Sequence, residues 1–160
     1  MATREAIVET IRKSDARAEA LRERIIAAPE APLADGEWSV RDALCHLAAR
    51  ANPLPLIDMV SAMLEAEGEP PAIDPDAQNA AQITERAGKS AAEVLDEMHA
   101  AYEEAIAGIA TLDDDTLGKG LKLPGMENEI QMSDLVVMSM GMHVDSHLGD
   151  VEAALDAAGA

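Results

Sequence analysis

The stretch VVMSMGMHVDSHLGDVEAAL, residues 136–155, decides the fold class. With each residue of a helix advancing about 100°, Val136, Val137, Met140, Val144, Leu148, Val151 and Leu155 gather on one side. Asp145 and Glu152 point away from it. An apolar stripe of this period with charge opposite marks a helix that buries one face against its neighbours. His143 and His147 fall inside the apolar arc. Four residues apart, they stand one above the other with roughly 5–6 Å between Cβ atoms. Both imidazoles can then reach one ion at about 2.0–2.1 Å. The same spacing also suits two core histidines held by hydrogen bonds. That reading requires a donor and an acceptor partner for each ring, and a face of Val, Met and Leu offers few.

Working back from this helix, the same period recurs. Thr3 to Ala28 carries Ile7, Ile11, Ser14, Ala18, Leu21 and Ile25 in alternating steps of four and three, and ends before Pro29 and Pro32. Ser39 followed by Asp42 forms a capping box for a second helix with Val40, Leu44, Leu47 and Ala51 inward. Pro53 and Pro55 each remove a backbone donor and interrupt it, after which Leu56 to Leu64 continues. Gly68 to Pro71 opens a linker. Asp74-Pro75 starts a short third segment, with Pro at its favoured first position, that stops near Gly88. Ser90-Ala91-Ala92-Glu93 is a full capping box for the main third helix, to about Ala110, with Leu95, Met98, Tyr102, Ala105, Ile109 and Leu112 inward. A connection from Leu112 to Met132 is long enough to be expected to cover a functional site or to carry minor structure of its own. Ser133 is the expected cap of the last helix, which runs to about Ala157. Four main helices and no persuasive strand predict an all-α bundle, a single domain over residues 1–160.

Composition agrees. The chain of 160 residues has no Phe, one Trp and one Tyr, so its core is built from Leu, Ile, Val, Met and Ala. Nine Met residues make that interior pliable. A net charge of −19, from 31 acidic and 12 basic residues, argues against nucleic acid or an anionic membrane as partner, since both demand a basic patch. A single cysteine excludes an internal disulfide and fits a reducing compartment. No apolar run approaches the roughly 20 residues of a membrane span, and the N-terminus lacks the apolar core of a signal peptide. A cytoplasmic protein is expected.

The remaining candidates are weaker on their own. His46 lies at the flank of the second helix's stripe, where a lone histidine is more often a surface residue than a ligand. It gains weight because bundle metal sites draw ligands from facing helices. His99, between Asp96 and Glu103, reads as solvated. Cys45 points about 100° away from His46 and reads as a small packed hydrophobe. Trp38 reads as a hydrophobic plug at the start of its helix. Asn79 and Arg86 are candidates for the cavity wall, although helix-surface or capping roles fit them better on sequence alone.

Two motifs carry a resemblance. Gly36-Glu37-Trp38-Ser39-Val40-Arg41-Asp42-Ala43-Leu44-Cys45-His46-Leu47 resembles the second-helix signature of the DinB-like superfamily, and residues 142–151, MHVDSHLGDV, resemble its fourth-helix signature. Asn79 and the run from Arg86 to Leu95 resemble the middle of the branch containing mycothiol-dependent maleylpyruvate isomerase. The resemblance covers most of the chain in the right order. It implies an up-up-down-down four-helix bundle holding a divalent ion, zinc or nickel, on His46, His143 and His147. It also implies Asn79 and Arg86 as binding residues for a low-molecular-weight thiol such as mycothiol or bacillithiol. The implied activity is a thiol-dependent transferase or isomerase acting on a small electrophile. The alternatives are a hydrolase of the toxin self-resistance type and a non-catalytic small-molecule or metal-binding bundle. Family habit implies a homodimer. The isomerase proper carries a further C-terminal domain that has no counterpart here, and Ala49-Arg50-Ala51-Asn52-Pro53 departs from the family pattern.

Overall fold

The computed structural model describes residues 1–66, 74–122 and 128–160. The linker expected from Gly68 and the middle of the Leu112–Met132 connection lie outside these residues. The first helix is α1 (Arg4–Ala20), capped by the Thr3 hydroxyl, and α2 (Arg22–Ala27) continues it past a tightened turn at Leu21. The second is α3 (Val40–Arg50), which opens on the expected Ser39/Asp42 capping box. The prolines divide it from α4 (Leu54–Glu65), whose first amide donates to Asn52 Oδ1 at 3.0 Å. The short segment is α5 (Pro75–Glu85), started by the Asp74 side chain. The main third helix, α6 (Ala91–Ile109), has the Ser90/Glu93 box and buries its predicted stripe from Leu95 to Ile109.

The connection after α6 has structure of its own. It holds the short helix α7 (Asp114–Leu117) and a two-residue antiparallel pair, β1 (Gly120–Leu121) with β2 (Ile130–Gln131). A strand pair was not expected from a sequence with so few β-favouring residues. The last helix begins at Met132 rather than after Ser133. Its cap position is Gln131 without a side-chain bond, and the Ser133 hydroxyl is buried with no partner. That helix has three parts: α8 (Met132–Met138), a π-helical turn (Ser139–His143) and α9 (Val144–Ala158).

Contacts between helices set the direction of each. Asp134, Asp145 and Asp156 of the last helix meet Ala2, Arg17 and Arg24 in the same order, so the first and last helices are parallel. Along α6 and the turn after it the order reverses, with Leu112, His99 and Asp96 meeting Arg4, Asp15 and Arg22. The second helix meets α6 in the same direction, Arg41 at Lys89 and Leu54 at Gly108. It runs against α9, since Trp38 stacks on His147 while His46 meets His143.

The all-α four-helix bundle is the expected one, but its order is up-down-down-up rather than up-up-down-down. The physical reason lies in residues 28–39. Val40 and Arg41 donate back to the Ala31 and Pro29 carbonyls at 2.9 and 2.8 Å, and Leu33 donates to Trp38. This turns the chain sharply back along α1. The parallel pair α3 and α6 then needs a return path along the bundle, and α5 supplies it. The core is a continuous cluster of aliphatic side chains with Tyr102 among the largest fully buried residues.

Candidate metal centre

α3, α9 and the returning α5 meet at the histidines. His46 projects from the middle of α3 and is 3% exposed, rather than sitting at the flank of its stripe as the sequence suggested. His143 closes the π-helical turn and His147 follows one turn later on α9. His46 Nε2 lies 3.0 Å from His143 Nε2, and one ligand atom from each of the three rings falls within 4.8 Å of the others. The three predicted ligands therefore converge.

Each ring is placed by a local cause. In a π-helical turn one carbonyl is displaced from the regular ladder. The Ser14 hydroxyl of α1 donates to the Met140 carbonyl at 2.5 Å. Gly141 lets α1 pass, since a Cβ there would come to 3.0 Å from Thr10 Cγ2. A regular helix was expected here, and nothing in the hydrophobic period reveals the extra residue in the turn. Trp38, expected as a plug, forms the wall of the site, its ring 5.8 Å from His147 at 21° and 5.2 Å from His46.

Gln82 of α5 faces His46 Nδ1 through its Oε1 at 2.8 Å. An amide oxygen only accepts, so Nδ1 carries the proton and the Nε2 lone pair points towards the other rings. A carbonyl-type partner that fixes the tautomer of a ligating histidine is a recurring feature of metal sites. Burial, first of all, pushes both His46 and His143 down to about 4, with the positive charge of Arg50 adding to it; Gln82 and Asn79 act the other way on His46. His147 is also lowered by burial, opposed by Asp150. At neutral pH all three are uncharged, the form that binds a metal. Two neutral rings presenting Nε2 to each other, one of them as a lone pair, with a third alongside, fit a divalent cation.

The other candidates are placed as follows. Asn79 borders a cavity of about 580 Å³ together with Trp38, His147 and Asp150. Arg86 does not face the histidines. It pairs with Glu97 of α6 at 2.7 Å and donates to the Gln82 carbonyl. Cys45 is fully buried with its thiol pushed up by burial, a packed residue as expected. His99 is on the surface, as expected, paired with Asp15 at 2.9 Å. Described residues of the 112–132 connection border neither of the two cavities beside α5, and residues 123–127 of the expected covering loop lie outside the described residues. The covering element is α5. Arg41 fastens it to α3 by donating to the Arg86, Ala87 and Lys89 carbonyls at 2.7–2.9 Å, a cation placed on the carbonyls that follow a helix end. Sequence reasoning missed Gln82, Arg41 and Arg50.

No helix among the described residues is long and apolar enough to cross a membrane. Compared with known families, residues 3–151 match the model of the DinB superfamily. No curated protein sequence matches the chain. Among solved structures the chain is similar to YfiT from Bacillus subtilis, described as "a probable metal-dependent hydrolase with an unusual four-helix bundle topology". The TM-score is 0.68 at 18% identity, over 98% of this chain and 87% of that one.

Proposed function

The chain belongs to the DinB superfamily, and from that premise we propose a metal-dependent enzyme whose zinc or nickel ion is held by His46, His143 and His147. The observation that carries the reading is the convergence of three uncharged imidazoles, one with its tautomer fixed by Gln82. His46, His143 and His147 would hold the ion, and the chemistry it would supply there is Lewis acidity, lowering the pKa of a thiol or water so that either serves as nucleophile at neutral pH.

The protein's own residues define the rest. Cys45 is excluded as nucleophile by its burial and raised pKa, and in this reading the nucleophile comes from solution. Trp38 limits water on one side of the His46 and His147 rings. Asn79 faces the larger cavity, where it can hold a bound small molecule. Arg86 acts indirectly, through Gln82 and Glu97, by fixing the end of α5 over His46.

Within this reading the nucleophile is a low-molecular-weight thiol, and the reaction a transfer to, or isomerisation of, a small electrophilic substrate. The motif resemblance of Asn79 and residues 86–95 to the thiol-dependent branch supports it. The second reading is hydrolysis, with water at the same position; the description given for YfiT favours it. The test is turnover of an electrophile by the zinc- or nickel-loaded protein with and without added mycothiol or bacillithiol. Thiol-stimulated product formation, abolished by His147→Ala, is expected. Thiol-independent cleavage of an ester or amide would instead support hydrolysis, and stoichiometric binding without product would make the protein a non-catalytic binder.

A further inference from the structure

Arg50 lies one helical turn beyond His46 on α3, so both side chains leave the same face with roughly 5–6 Å between their Cβ atoms. It borders a second cavity, of about 340 Å³, on the other side of α5 from the first. Gln78 and Gln82 of α5, Asn52 and Ser139 complete its polar lining. Gln82 presents Oε1 to His46, which leaves its amide NH₂ without a partner among the described residues.

The surroundings of Arg50 are unusual for this chain. Carboxylate residues outnumber Lys and Arg by 31 to 12, and Arg4, Arg17, Arg22, Arg24 and Arg86 each pair with one; of the other arginines, Arg12 is exposed and Arg41 is taken up by the carbonyls after α5. Arg50 is half-buried, yet among the described residues no carboxylate oxygen lies within the 4.0 Å that defines such a pair. Its charge instead reaches His46, His143 and His147, all of which it disfavours as cations. The larger cavity has the opposite character, bordered by Asp35, Glu37, Asp42, Asp76 and Asp150. A guanidinium left unpaired beside amide donors is a fork for a planar anion, which it binds through two parallel charge-assisted hydrogen bonds.

We propose that Arg50 anchors a carboxylate of the substrate in the smaller cavity, holding the reacting atom at the histidine centre about one helical turn away. This assigns a substrate class to the site proposed above and rests on that metal-dependent reading. The acidic cavity repels the carboxylate, so the bound molecule has one orientation. Gln78, Asn52 and the Gln82 amide complete the recognition.

Three thiols of similar size and different charge test it: 3-mercaptopropionate (anionic), 2-mercaptoethanol (neutral) and cysteamine (cationic). Each is titrated into the cobalt(II)-loaded protein and followed by the sulfur-to-cobalt charge-transfer band. Wild-type protein is expected to bind 3-mercaptopropionate roughly tenfold or more tightly than 2-mercaptoethanol, the worth of one charged hydrogen-bonded contact, and cysteamine no better than 2-mercaptoethanol. Arg50→Gln should remove the preference of 3-mercaptopropionate over 2-mercaptoethanol, each measured in the same variant, while Arg50→Lys keeps part of it. Equal cobalt content in wild type and both variants shows that the centre is intact. A preference that survives in Arg50→Gln, as chelation of the ion by the carboxylate would give, overturns the proposal, as does tightest binding of cysteamine. Failure of the wild type to take up cobalt would overturn the metal-dependent reading itself.

Discussion

Among the described residues, two clusters bring three potential metal ligands within reach of one another: His46, His143 and His147, and Asp15, His99 and Glu103. Counting donors does not separate them, but their surroundings do. In the first, burial keeps the rings uncharged and Gln82 orients a lone pair inwards. In the second, His99 is 56% exposed and already paired with the Asp15 carboxylate, and Glu103 is open to solvent. An exposed pair of this kind contributes about 0–1 kcal/mol and leaves no unmet demand for a cation. The difference between a metal centre and a surface cluster is therefore one of desolvation and of ring nitrogens turned towards one point rather than towards a carboxylate.

Removing one ligand from each cluster separates the two most directly. His143→Ala is expected to abolish stoichiometric cobalt binding, whereas His99→Ala leaves it unchanged; loss of binding in the second variant would place the ion at the surface. The next effect is that of the partner behind the ligand. Gln82→Leu removes the acceptor for His46 Nδ1 and should weaken metal binding roughly 10–100-fold, as outer partners typically do, while Asp15→Asn changes nothing measurable in a cobalt titration. A smaller, structural effect is expected from Ser14→Ala. It strands the Met140 carbonyl of the π-helical turn and should cost about 1–3 kcal/mol in chemical denaturation, the price of a buried polar group without its partner.

The last effect depends on pH, in metal-free protein. His46 and His143 have folded-state values of about 4 against an ordinary 6.5, so between these the unfolded chain takes up protons that the folded chain refuses. Their contribution to stability is complete above pH 6.5 and is lost as pH falls towards 4. The melting temperature should drop across that window. Replacing both rings in a His46→Gln/His143→Gln variant should flatten the slope, while His99→Gln should follow the wild type.

The sequence made these two clusters unequally legible. His143 and His147 follow from a spacing of four on an apolar face, because a helix converts spacing into proximity without further information. His46 came forward mainly through motif order, since its facing of α9 depends on how two distant helices pack. Gln82 could not be read at all. It lies 36 residues from His46, and α5 returns over the site only because α3 and α6 run parallel, which hydrophobic periods do not encode. The reversal from up-up-down-down to up-down-down-up has the same origin, in the backbone bonds of residues 28–41. The π-helical turn was invisible because an apolar stripe fits a regular helix equally well. Capping was legible where the side chain bonds the backbone next to it, as at Ser39 and Ser90, and misleading at Ser133, which the core takes in.

The central claim is that the buried histidines hold one ion, and elemental analysis of the untagged protein tests it most directly. After zinc or nickel resupply and dialysis, about one equivalent per chain is expected in wild type and in His99→Ala, with none in His143→Ala. A wild-type protein that retains no more than a small fraction of an equivalent of zinc, nickel, iron or manganese would contradict it.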